Sequence, residues 1–155
     1  MSSPKHMRRL REAMSQAHPV TEFCQPGAGV KTILNRLGRR DDFSGCDVLL
    51  HSPEPFYVGI SRCVIRRVRQ HVTGKTHYDA SLAYLMASRR VGRDMQRQEA
   101  MKAPAFRQQF DQAKQELRRC CVAFVEIENA LELHLFEACC AMELDTGEWN
   151  TFRTH

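Results

Sequence analysis

No stretch of this 155-residue chain approaches the roughly 18 consecutive apolar residues that a membrane-spanning helix requires. Residues 1–10 are basic but no apolar segment follows them, which argues against a secretory signal. None of the seven cysteines forms a Cys-x-x-Cys pair. The two adjacent pairs, Cys120-Cys121 and Cys139-Cys140, suit neither a zinc knuckle nor a disulfide framework. Reduced thiols used as small core hydrophobes are the expectation, in a soluble cytoplasmic protein. Internal repeats and low-complexity segments are lacking too, so a solenoid or a disordered tract is not expected.

Basic residues are in excess. The formal net charge is +5 and the isoelectric point near 9.0, a balance that favours an anionic partner. Nucleic acid is the leading candidate; a merely solubilising surface is the plainer alternative. A chain of this length suits a single domain, and folding buries roughly 68–70% of its surface, enough for a core without staples.

Periodicity supplies the elements. Leu10, Ala13, Met14 and Ala17 fall at helical spacing within a polar, basic segment bounded by Pro4 and Pro19. Residues 25–29 break the chain, and 30–37 read as a short helix with Gly38 just past its end. Residues 46–51 and 56–60 are β-rich runs, separated by a Ser52-Pro53-Glu54-Pro55 turn. Helices are expected over 62–72, burying Val64, Ile65 and Val68, and over 79–90 with Asp79 as its cap. Residues 94–119 are helical in pattern, with a break at Pro104. A third, central strand is expected over 120–127, then an apolar helix over 129–144 capped by Asn129. The fold class is therefore α+β, with a small three-stranded antiparallel sheet flanked by helices. The predicted organisation is a basic helical N-terminal extension at 1–42 and a domain at 43–155, with a helical insertion at 92–119.

Chemistry concentrates where Phe56-Tyr57-Val58-Gly59-Ile60-Ser61 runs into the arginine-rich segment Arg62 to His71. That order puts a phenol near a strand end and guanidinium groups on the first turns of the next helix, facing one pocket. Arg67 and His71, four apart, project from one helical face. Glu137 interrupts the apolar stretch 133–141 and should point to a partly buried place, where a carboxylate needs a partner.

This ordered set resembles the GIY-YIG nucleases. Tyr57-Val58-Gly59 stands in place of the family's second strand element, Arg67 falls where its arginine falls, and His71 follows at the spacing many members show. Glu137 precedes Asn150 by thirteen residues, close to the family's glutamate–asparagine spacing. The resemblance implies a metal-dependent endonuclease acting on DNA, with Mg2+ or Mn2+ held by Glu137 and the GIY-YIG fold over 43–155. It implies that Arg67 faces the phosphate and that Tyr57 orients or deprotonates the attacking water, with His71 the competing base. Two positions depart from the pattern. Asp47 stands where the first family tyrosine is expected, as a candidate base or second metal ligand, and Ile60 stands where some relatives carry a lysine.

Each residue also has a plainer reading. Tyr57 is then a strand aromatic, Arg67 part of a solvated basic face with Arg62, Arg66 and Arg69, and His71 a cation at a helix C-terminus. Glu137 is an ion-pair partner and Asn150 a turn residue. Arg62, Arg66, Arg69, Arg89 and Arg90 are candidate nucleic-acid contacts, able to bind phosphates with little base information. A catalytically impaired module that still binds nucleic acid is the alternative function. A homodimer through the helix at 131–144 is the third.

Overall fold

The computed structural model describes residues 3–92 and 96–150. Along the chain run α1 (Ser3–Ser15), β1 (His18–Pro19), a 3-10 turn (Val20–Phe23) and α2 (Val30–Arg36). Then come β2 (Gly45–His51), β3 (Glu54–Ser61), α3 (Val64–Thr73), α4 (Ser81–Val91), α5 (Arg97–Lys102), α6 (Pro104–Arg118), β4 (Cys121–Glu126) and α7 (Ala130–Glu143). Residues 93–95 and 151–155, within the expected insertion and at the end of the expected 43–155 domain, lie outside the described residues.

The sheet is antiparallel throughout and has four strands, in the order β1-β4-β2-β3, where three were expected. The extra strand is His18–Pro19, paired with Val122 and Cys121. Two residues are too few to show a period of two, which is why the sequence pattern passes over it. Proline, lacking an N–H, is tolerated there because β1 is an edge strand.

Both faces of the sheet are covered. Leu49 and Val122 join the core beneath α3, α4 and α6, whereas Cys46, Val48, Ala123 and Val125 pack with Leu10, Leu133 and Phe136 of α1 and α7. That burial explains why β2 and β4 read as near-continuous apolar runs rather than as alternating ones. At the other edge, β3 resumes at Glu54, inside the expected turn. A bulge between Leu49 and Leu50 brings Pro55 opposite Leu50.

Helix ends follow local chemistry unevenly. Asn129 caps α7 as expected, its Oδ1 accepting the Glu132 amide at 3.0 Å. Asp79 does not cap α4, which begins at Ser81 with Ala80 in the cap position and no side-chain bond. The start of α3 is held from a distance: Asp42 accepts the Ile65 and Arg66 amides at 2.9 and 3.0 Å. Within the expected insertion, α6 buries Phe106, Phe110, Ala113 and Leu117. All seven cysteines are free thiols, and among the described residues no helix is long and apolar enough to cross a membrane.

Candidate active site: a cleft at the outer edge of β3

The open edge of β3 is closed by one side chain. Asn150 accepts the Val58 amide on its Oδ1 at 2.8 Å and donates its Nδ2 to the Val58 carbonyl at 2.7 Å. Both backbone groups would otherwise lack a partner at a sheet edge. The bond of the Asn150 amide to the Thr146 carbonyl, at 3.0 Å, folds the segment after α7 back toward that edge. Between this segment, α4 and α7 lies a cleft of about 350 Å³, lined by Tyr57, Ser81, Tyr84, Glu137, Trp149 and Asn150 among others.

Behind the cleft the β2–β3 ladder sets Asp47 opposite Gly59. Asp47 is 0% exposed, and neither carboxylate oxygen has a hydrogen-bond partner. Burial pushes its carboxyl up to about 6, with the negative charge of Glu137 adding to the rise and the Arg67 guanidinium opposing it. Burial and the neighbouring Asp47 charge likewise push the Tyr57 phenol up to about 12. Tyr57 therefore stays protonated across the physiological range.

His71 is 1% exposed, and both ring nitrogens are without a hydrogen-bond partner. Burial and the adjacent Arg67 charge lower it to about 3, so the imidazole is neutral. Its ring meets Tyr57 edge to face, with centroids 5.6 Å apart. In this position it supports the phenol from behind and is not a solvated helix-terminal cation.

Arg67 bridges α3 to the start of α4, donating to the Asp79 carbonyl at 3.0 Å and to the Ser81 hydroxyl at 2.6 Å. Those bonds use two of the five guanidinium donors and fix its plane. From α7, Glu137 reaches the same cleft half-buried, its carboxyl raised by burial while His134 acts in the opposite sense. None of the ion pairs among the described residues involves it. No group of three or more metal-ligating side chains occurs among the described residues. A cation here would rest on Glu137, with water and substrate oxygens completing its shell. That donor set fits Mg2+, which keeps much of its hydration.

Of the arginines expected to meet nucleic acid, Arg62 and Arg66 present exposed side chains. Arg69 is tied to the Phe23 carbonyl at 3.2 Å and Arg90 is paired with Glu116. Arg89 lies over the Trp149 ring, 4.2 Å from its centroid, at the rim of the cleft.

Sequence reasoning did not single out Ser81, His77, Tyr84, Arg97 or Trp149. For α4 the signal is there in retrospect, since Ser81, Tyr84 and Leu85 follow i, i+3, i+4 spacing and share one face. His77, Arg97 and Trp149 come from three separate loops and helices, and only the tertiary fold brings them together. Comparison of the chain with protein-family models, with curated proteins and with solved structures finds no match.

Proposed function

We propose that this cleft hydrolyses phosphodiester bonds of DNA with the aid of a divalent cation, in the manner of the GIY-YIG nucleases that residues 43–155 resemble. One observation carries the reading. Tyr57, Glu137, Asn150 and the Ser81 that anchors Arg67 come from four different elements and line a single cleft in a basic protein.

Each group has work suited to its state. A neutral Tyr57 phenol accepts a hydrogen bond from the attacking water or donates one to a phosphate oxygen; its high pKa makes it an orienting group rather than a base. Arg67 does not itself line the cleft; held by its two bonds, one of them to the Ser81 that does, its charge would act on the anionic transition state with little reorganisation. Glu137 would hold Mg2+ or Mn2+, and the ion supplies Lewis-acid stabilisation of the departing oxygen when bound. Asn150 keeps β3 and the segment after α7 in register, and His71 buttresses the phenol. Arg62, Arg66 and Arg89 attract the backbone.

Nicking of supercoiled plasmid with Mg2+, with Mn2+ and with EDTA tests the proposal directly. Cleavage that needs the metal and disappears in Glu137→Gln is the expected result. Cleavage at an unchanged rate in that variant would remove Glu137 from the chemistry and the reading with it.

The burial of Asp47 favours a second reading. Where the resemblance calls for a tyrosine, a carboxylate without a hydrogen-bond partner lies wholly covered and is not among the residues that line the cleft. A protein so altered would bind DNA in a salt-sensitive way without cutting it. Retarded migration of DNA in a gel, with no nicking under any metal, is its signature. Leu131, Leu135 and Met142 of α7 are also exposed, and this is the face a second copy would cover in a homodimer. Light scattering reads that state.

A further inference from the structure

The cleft contains more than the cleavage proposal uses. His77, Tyr84 and Trp149 line it together with Tyr57, Leu82 and Leu85. Two of these rings carry a guanidinium: Arg97 lies 5.5 Å from the centroid of Tyr84, and Arg89 lies 4.2 Å from that of Trp149. His77 continues the aromatic wall, 5.8 Å from Tyr84 and 4.1 Å from Tyr78, which is 69% exposed.

A surface that had only to grip phosphates would need cations and no rings. Rings flanked by guanidinium groups match a flat π-faced group joined to an anion, which describes a nucleobase and its phosphate. Within a duplex each base has both faces covered by its neighbours. Only a nucleotide outside the stack can lay a face against an aromatic side chain or an arginine plane. Size points the same way. At about 350 Å³ the cleft lies at the small end of ligand sites, with room for one nucleotide rather than for a helix.

We infer that the cleft takes an unstacked nucleotide of single-stranded DNA, its base against Tyr84 and Trp149 and its phosphate toward Arg97 and Tyr57. What happens to that phosphate rests on the nuclease reading above; the stacking does not require cleavage. The substrate class therefore becomes unpaired DNA, with intact duplex a poor fit.

Trp149 is the only tryptophan in the chain, so its fluorescence reports on this cleft alone. The test is a titration of the whole protein, in EDTA, with an oligothymidylate of about ten nucleotides and with a blunt duplex of the same length. The single strand should quench Trp149 and the duplex should not. Tyr84→Leu should weaken single-strand binding about tenfold and leave duplex binding unchanged, as loss of one base–aromatic stack predicts. Tyr84 also packs against Phe106, at 5.2 Å between centroids, so a circular-dichroism melt accompanies that variant. Arg97→Gln, at an exposed position, carries the same expectation without touching the core. Equal binding of the two DNA forms, or single-strand binding unmoved by both variants, would overturn the inference. Its failure is separable from that of the nuclease reading. Quenching without metal-dependent cleavage of either that single strand or the plasmid leaves the nucleotide site standing and removes the nuclease, whereas metal-dependent nicking of duplex with no quenching does the reverse.

Discussion

Asp47 and Gly59 face each other across the β2–β3 ladder so closely that a Cβ on Gly59 would lie 3.1 Å from Asp47 Oδ1 and 3.2 Å from Tyr57 Cε1. The glycine makes room for the carboxylate and for the phenol ring at once. Gly59→Ala should therefore displace one of them and destabilise the fold by about 1–3 kcal/mol, the usual range for overpacking a filled site. Urea unfolding measures the loss. Under the nuclease proposal, a nicking assay run beside it should show reduced cleavage if the Tyr57 ring is the group displaced and unchanged cleavage if the Asp47 carboxylate is.

Burying Asp47 has a pH signature. Its carboxyl titrates near 3.8 when unfolded and at about 6 when folded, so between those values the folded state binds more protons. Stability should then fall as pH rises through that window and level off above it, by roughly 3 kcal/mol from this group. Asp47→Asn should flatten the fall, gaining on the parent protein between about pH 4 and about pH 7. Unfolding curves at a series of pH values check this, and identical pH dependence in both proteins would assign the titration elsewhere.

Asn150→Ala removes both bonds to Val58 and leaves the outer edge of β3 open. The expected loss is about 1–3 kcal/mol, together with faster hydrogen exchange at the Val58 amide. Asn150→Asp keeps the acceptor but sets a carboxylate oxygen against the Val58 carbonyl, so it should be no better than alanine. An unprotected Val58 amide in the parent protein would contradict the pairing.

Arg67→Lys retains the charge but cannot reach the Asp79 carbonyl and the Ser81 hydroxyl with one planar fork. Under the nuclease proposal, cleavage should drop by about 10²–10³, the cost of losing one preorganised stabiliser. Ser81→Ala, which removes a single bond, should reduce it less. Equal rates for the lysine variant and the parent would mean that the fork geometry has no part in the reaction.

Much of the molecule was legible along the chain. The apolar spacing of Val64, Ile65 and Val68 marked the buried face of α3, the apolar run at 120–127 marked a covered central strand, and Asn129 marked the start of α7. These are local signals, set by the period of a helix or strand and by the capping chemistry of one side chain. Asp79 shows their limit. Its residue type suits a cap, but the bond from Arg67 to its carbonyl belongs to a contact between α3 and the segment leading into α4.

The α+β class, the β2–β3 hairpin and the helices around it follow from local pattern, because each element carries its signal within its own residues. That His18–Pro19 joins the sheet and that Asn150 closes its far edge emerges only from long-range packing. The same packing seals Asp47 and His71 away from water while His77, Tyr84, Arg97 and Trp149 gather around the cleft. Burial and encounter depend on residues distant in the chain, and no local period encodes how those residues meet.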